Sequence, residues 1–297
     1  MIKPLLVLLL VFSVHALALA CDACGCSVMG QPTGLLTEYK RNYLSLGWNR
    51  AGYSSAPGVG EGSVDVFQSF DISFQYYLSG RWRAGLYQAY RYNTREVNQV
   101  TQSVQGFADT HLTTDYTFFR KTSSDAFEVY LDIGAGLSLP TGKYDAHIHE
   151  HDLPENFNPG NGSLGVSLQQ TNSVSYRSIG MVLKNSWTHY AETSAGYDFG
   201  DQWAGNLLVF YSQSLDSLIS FVPMAGIEME NTMADHHPNG TEVHGTGGKG
   251  AFFSAGCQVK MKNWLCTFQY LLPLSNHFSD GEVEAGNRMN VQLTHLF

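Results

Sequence analysis

From residue 66 onward the chain alternates apolar and polar positions with a period of two. Phe70, Ile72, Phe74, Tyr76 and Leu78 fall on one face, and Ser69, Asp71, Ser73 and Gln75 on the other. That run is long enough to cross a bilayer as a tilted strand. Ser79-Gly80 reads as a tight turn, after which Trp82, Ala84, Leu86 and Tyr90 continue one face and Arg83, Tyr87 and Arg91 the other. The same alternation returns over 106–121, where Leu112, Tyr116 and Phe118 oppose Asp109, His111, Thr113 and Asp115. It returns again over 126–139, with Phe127, Val129, Leu131, Ile133, Leu137 and Leu139 against Glu128, Tyr130, Asp132 and Ser138.

Less regular strands follow near 163–174, 178–190, 202–213, 217–229, 251–261, 263–273 and 287–297. With 38–50 ahead of them, the pattern predicts about twelve strands. Long strands that are apolar outside and polar inside, joined alternately by short turns and long loops, predict an all-β fold, a transmembrane antiparallel β-barrel. A soluble sandwich would have shorter strands and an apolar inner face. An even count puts both termini on the periplasmic side. The outer loops are then 51–63, 95–106, 140–162, 191–201, 230–250 and 274–286. The short turns are Ser79-Gly80, 122–125, 174–177, 214–216 and Lys262-Asn263. The last strand sets Met289, Val291, Leu293, His295 and Phe297 on one face, and ends like the signal by which the barrel-assembly machinery recognises such proteins.

Composition agrees with sheet. Aromatics are 13% of residues, glycines number 30, and charged residues are only 14%, against about a quarter in ordinary soluble domains. Lys3, the apolar run Leu5 to Val14 and Ala18-Leu19-Ala20 predict a secretory signal peptide over 1–20, cleaved near Ala20-Cys21. A Cys-containing periplasmic segment, 21–37, and a barrel, 38–297, follow, which places the mature chain in the bacterial outer membrane, in contact with its lipid. Without Lys3 the mature chain carries 16 basic and 26 acidic residues, which argues against nucleic acid and is compatible with attracting cations.

Candidate chemistry gathers at the two ends of the barrel. His147, His149 and His151 sit at spacing two, so an extended backbone points all three imidazoles to one side, with Asp145 beside them. His236, His237 and His244 occupy a second outer loop, with Met229, Glu230, Met233, Asp235 and Glu242 nearby, and His277 a third. Imidazole suits copper, zinc, nickel or iron. Clustered imidazoles also titrate near neutrality, and a polar loop tolerates histidine without using it. At the other end, Cys21, Cys24 and Cys26 offer thiols to a soft ion, with a disulfide or a lipid anchor on Cys21 as the competing readings. Cys257 and Cys266 share the lipid-facing side of one hairpin, as small apolar residues or as a disulfide. His111 points inward among carboxylates. Asp71, Asp115, Glu128, Asp132 and Glu228 face the same lumen as Arg83, Arg91, Lys184, Lys260 and Arg288, either lining a water-filled channel or knitting a closed one. The chain has no Gly-x-Ser-x-Gly elbow, and His295, the one well-phased outward strand histidine, has no evident Ser and acid partners, so no enzyme is expected.

Leu139-Pro-Thr-Gly-Lys-Tyr closing one strand, Gly160-Asn-Gly-Ser-Leu-Gly opening the next, Tyr197-Asp-Phe-Gly-Asp-Gln-Trp203 and the Cys21-Asp-Ala-Cys-Gly-Cys start together resemble bacterial outer-membrane transporters of the phenol-degradation MetA-like family. The likeness is to the version found in Bacteroidetes-like bacteria. It implies a barrel of about this strand number with a transport role and no catalytic residues, while the histidine-laden loops depart from the family's general pattern.

The leading expectation is therefore an outer-membrane channel or transporter for a transition-metal ion, copper first and zinc second, or its chelate. The outer histidines would capture the ion, and Cys21, Cys24 and Cys26 would receive it and hand it to a periplasmic metal-handling protein. The metal would be cargo, with no resident cofactor. The alternatives are a closed structural or adhesion barrel with recognition loops, and a passage for small hydrophobic molecules, which the polar phasing of the lumen disfavours.

Overall fold

The computed structural model describes residues 41–55, 62–123 and 126–297, and among these the alternating stretches all become strands of one antiparallel sheet. In chain order they are β1 (Tyr43–Ser55), β2 (Ser63–Tyr77), β3 (Trp82–Val97), β4 (Val100–Phe107), β5 (Thr110–Thr122), β6 (Phe127–Leu139) and β7 (Gly165–Tyr176). There follow β8 (Ile179–Tyr190), β9 (Gln202–Tyr211), β10 (Gln213–Ser214), β11 (Ile219–Thr232), β12 (Gly248–Met261), β13 (Trp264–Phe278) and β14 (Val283–Leu296). β3 pairs with β5 along its first part and with β4 along its second, so β4 and β5 act as one wall strand interrupted at Ala108 and Asp109. β10 continues β9 alongside β11. Because β11 also pairs with β9, and β14 with β1, the sheet closes on itself as a twelve-stranded antiparallel barrel.

The pleat sorts side chains as the alternation predicts. Leu46, Phe70, Leu168 and Ile179 are largely exposed on the outer wall, while Ser45, Ser69, Gln258 and Thr294 are buried within. Exposed apolar positions recur on nearly every strand, and such a wall suits hydrocarbon rather than water. The register fixes the slope of the strands. Starting at Tyr43 and stepping between directly paired residues, the ladder passes Gln75 and Gly85 and returns to β1 at Ser55, from position 43 to position 55. That stagger of twelve places is the shear that tilts strands in a closed barrel.

Several expectations change. The loop expected at 274–286 shrinks to the few residues between Phe278 and Val283, so His277 lies in β13, opposite Lys249, rather than in an outer loop. Residues 95–106 form no loop. β3 and β4 run on as a hairpin turning at Asn98 and Gln99, both with positive φ (51° and 67°), the twist a two-residue hairpin needs. β11 extends to Thr232, so Met229 and Glu230 belong to the wall: Met229 faces outward, and Glu230 is buried inside. Cys257 opposes Phe268 and Cys266 opposes Val259, which leaves the two cysteines diagonal, and both are free thiols.

Candidate functional site

The barrel has short turns at the end holding β1's start and β14's close, and large connections at the other, here the loop end. The largest connection joins β6 to β7 and folds into the barrel. Its two stems meet at Asp109, in the break between β4 and β5. One carboxylate oxygen accepts the Gly142 backbone N–H at 2.9 Å and the other that of Asn161 at 2.8 Å. A Cβ at Gly142 would stand 2.7 Å from the Ala108 carbonyl carbon, and one at Gly160 would meet Asp109 and Gly142, so the stems cross only because both residues are glycine. Beyond the crossing, the Asn158 side chain accepts from the Asp145 N–H (2.8 Å) and donates to the Asp145 carbonyl (3.1 Å), cinching the loop.

Past this clasp the loop buries Ile148, Leu153 and Phe157 against Tyr53, Phe67, Phe252, Leu271 and Phe278. These partners lie on the inner face, so the cluster is inside the lumen. Phe157 is wholly buried, 4.9 Å from the Phe67 ring, with the Arg95 guanidinium 5.0 Å from its centroid and Asn93 donating to its carbonyl at 3.0 Å. The loop is thus a plug seated near β1, β2, β12 and β13. Beneath it Arg288 makes a two-pronged ion pair with Glu230, donates to the Tyr53 hydroxyl at 2.8 Å and stacks 3.9 Å from the Phe252 centroid. The lumen is therefore less uniformly polar than its phasing suggests. A further apolar group, Val182, Leu208, Phe210, Val222 and Met224, lies toward the turn end.

The opposite side of the lumen stays open. A cavity of about 140 Å³ runs along the inner wall from Tyr43 and Arg83 to Tyr190 and Gln202, bordered by Tyr87, His111, Ser138 and Lys184. Arg83 is compensated on the spot by Asp115 (3.2 Å) and Asp132 (2.6 Å). His111 does point inward, edge-on to Tyr87.

The histidine loops separate into parts. Residues 148–151 coil into a 3₁₀ turn rather than an extended strand, because Ile148 is drawn into the plug core and turns the backbone around it. His147, exposed, instead meets Glu150 at 3.2 Å, and His151 is exposed with its carbonyl held by Gln102. In the loop after β11, Asp235 is buried and accepts the Gly200 N–H (2.7 Å) and the Tyr197 hydroxyl (2.6 Å), and its own N–H goes to Thr246. His236 is pinned between Asp198 and Glu242 by backbone bridges. His149, His237 and His244, however, border one vestibule of about 530 Å³ at the loop end, with Tyr144, Glu155 and Glu282. The two histidine loops do therefore face a common mouth. Among the described residues no three His, Cys, Asp or Glu side chains approach closely enough to hold an ion. Cys21, Cys24 and Cys26 lie outside the described residues.

Burial raises the Asp235 and Glu155 carboxyls from their ordinary values. Burial likewise raises the Tyr144 phenol, which donates to Glu155 at 2.6 Å. One pair escaped the alternation altogether. His189 is also exposed on the outer wall, so His295 is not alone there, and its Nδ1 lies 2.7 Å from Asp201, a residue from the loop before β9. Trp187 stacks on its ring. The signal was present in the outward phase of Trp187 and His189, but nothing in sequence ties Asp201 to them.

No family model and no curated protein matches this sequence. Among solved structures, the crystal structure of an outer membrane channel from Pseudomonas putida F1 superposes with a TM-score of 0.63 at 13% identity, over 86% of this chain and 96% of that one. The β domain of the Bordetella autotransporter BrkA gives 0.55 at 9% identity, over 86% and 100%. The transport unit of the autotransporter AIDA-I from Escherichia coli gives 0.50 at 9%, over 90% and 93%. At these identities the likeness is one of architecture, and it agrees with the register: the chain has the closed β-barrel fold of outer-membrane proteins.

Proposed function

We propose that the protein is a non-enzymatic outer-membrane channel whose aperture is set by the plug loop between β6 and β7. The carrying observation is Phe157, wholly buried among inward Tyr53 and Phe67 while the wall from β5 to β9 keeps its cavity. A twelve-strand barrel is too narrow to conduct past an inserted loop without regard to how that loop sits. The chain reaches the outer membrane after loss of residues 1–20, through recognition of the strand ending at Phe297, and belongs with the MetA-like transporters it resembles. Two of the motifs behind that resemblance contain Gly142 and Gly160, where the stems of the plug cross.

Planar-bilayer conductance tests the reading. Phe157→Ala loosens the plug and should raise the unitary conductance several-fold. A Phe157→Ala barrel that folds, by its heat-modifiable mobility, and conducts as the parent does removes the plug from the mechanism.

A second reading concerns the vestibule. His149, His237 and His244 around one cavity support capture of Cu or Zn as cargo, with His147, His151 and His236 outside that ring, and Cys21, Cys24 and Cys26 receiving the ion for a periplasmic carrier. Since the three imidazoles are apart, capture requires the two loops to close on the ion. Isothermal titration with Cu²⁺ and Zn²⁺ should show binding lost in the triple variant His149→Ala, His237→Ala, His244→Ala. Equal affinity in parent and variant ends this reading.

A further inference from the structure

The open side of the lumen has a chemistry of its own, and it follows one line of the register. Gln75 on β2 opposes Gly85, which opposes Thr113 on β5, which opposes Gly136. The line then passes to Ser167 and Thr188 and ends at Gln202, the first residue of β9. Because of the shear, this single line climbs from the turn end to the loop end, and every residue named on it borders the cavity or, like Gly85 and Gly136, forms its floor. The side chains are neutral hydroxyls and amides throughout.

The two glycines are what make it a trough. The Thr113 hydroxyl lies over Gly85 and the Ser167 hydroxyl over Gly136, and a Cβ at either glycine would collide with that oxygen. Each glycine leaves a recess with a hydroxyl as its side, and the two recesses lie two strands apart, about 9.6 Å at an inter-strand spacing of about 4.8 Å. Beside the line, Ser73 and Ser138 are buried and also border the cavity, and neither hydroxyl has a protein partner among the described residues. Unsatisfied buried hydroxyls call for a partner.

Charge is cancelled along the same wall. Arg83 is held between Asp115 and Asp132, and Lys184 is likewise engaged. An ion entering here would shed hydration and meet carboxylates already shared with Arg83, which is costly. A neutral hydroxylated solute would exchange water hydrogen bonds for wall hydrogen bonds at little net expense. The volume, about 140 Å³, is close to that of a protein cavity able to admit benzene, about 150 Å³, so the solute is small.

We propose that the channel passes small uncharged solutes rich in hydroxyl or amide groups, of pentose size or below, along the line from Gln75 to Gln202; this rests on the channel reading above. Among the described residues His111 is the one imidazole on the cavity wall, and no three potential metal ligands come together.

Swelling of proteoliposomes containing the full mature chain tests it. Isosmotic arabinose should enter faster than lysine or glutamate, which are of similar size but charged, and faster than sucrose. Thr113→Val with Thr188→Val removes two hydroxyls at nearly constant shape. It should slow arabinose by about fivefold per hydroxyl, the worth of one hydrogen bond, while leaving lysine and glutamate entry unchanged. Gly136→Ala, which closes one recess, should slow arabinose as well; should that barrel fail to fold, the threonine pair decides alone. Lysine or glutamate entering as fast as arabinose overturns the solute assignment and leaves the channel standing, as does an unchanged arabinose rate in the threonine variant. Absence of entry by any solute, in the parent and in Phe157→Ala, overturns the channel and this inference with it.

Discussion

The Asp109 carboxylate accepts the backbone N–H of Gly142 at 2.9 Å, from a break in the barrel wall to the first stem of the plug. Its second oxygen takes the N–H of Asn161 on the returning stem, so one side chain closes a loop of about twenty residues. Hydrogen bonds to a charged acceptor contribute about 1.5–3 kcal/mol each. Asp109→Ala should therefore release the plug without unfolding the barrel, seen as faster limited proteolysis within 140–164 and a raised, noisier conductance. Asp109→Asn keeps one acceptor and should fall between. Proteolysis at the parental rate in Asp109→Ala means that the apolar anchor alone holds the loop.

The wall was legible because a barrel strand has only two faces and a wrong register would turn each of them over. Phe70 to Leu78 and Met289 to Phe297 declared their phase unaided. The plug was not legible, since Ile148, Leu153 and Phe157 stand singly in a polar stretch and the histidines between them are more conspicuous. Only the apolar inner face at Tyr53, Phe67 and Phe252 shows that these three have somewhere to go, and those positions lie on strands far apart in sequence. The β3–β4 hairpin was hidden for a local reason: its turn is Asn98-Gln99, with no glycine to mark it. The vestibule lay between, its loops readable as outer and its shared mouth not.

Arg288 and Glu230 are both buried beneath the plug and joined by two hydrogen bonds, one of them 2.8 Å. A buried pair adds little when intact, because desolvation offsets the attraction, but removing one partner strands a charge. Glu230→Gln should lower stability by about 3–5 kcal/mol, whereas Glu230→Leu with Arg288→Met should return most of it. Urea unfolding of the barrel in lipid vesicles distinguishes the cases. Equal losses in the single and double variants would mean that the pair is needed for packing around Phe252 rather than for charge balance.

Cys257 and Cys266 sit on neighbouring strands of the outer wall, each opposite another residue. Diagonal neighbours lie about 7–8 Å apart, beyond the usual 4.4–6.8 Å Cα separation of a disulfide. Peptide mass mapping without reductant should recover both as free thiols despite the oxidising compartment. A Cys257–Cys266 link would require this hairpin to slip its register by two residues, breaking the Cys257–Phe268 and Val259–Cys266 pairings.

The outer loops should respond to pH through Asp235 and Glu155, and the sign follows from the direction of their shifts. Burial raises both carboxyls, so the folded loops bind protons more tightly than unfolded ones. Stability from these groups is therefore present in full below the ordinary carboxylate range and is lost as pH rises through their elevated folded values. The two groups repel each other across the mouth, Glu155 from the plug and Asp235 from the loop after β11, and each also feels other charges: Asp145 and His149 near Glu155, Asp198 and His236 near Asp235. Protonation removes the repulsion while Tyr144 and Tyr197 keep the two side chains in place. Acidification should then tighten the mouth, lowering conductance and slowing amide exchange over 140–164 and 233–247. Asp235→Asn with Glu155→Gln should hold both readouts near their acid values at neutral pH. If that double variant still closes on acidification as the parent does, the response belongs to the vestibule histidines instead, and His149→Ala, His237→Ala, His244→Ala should abolish it.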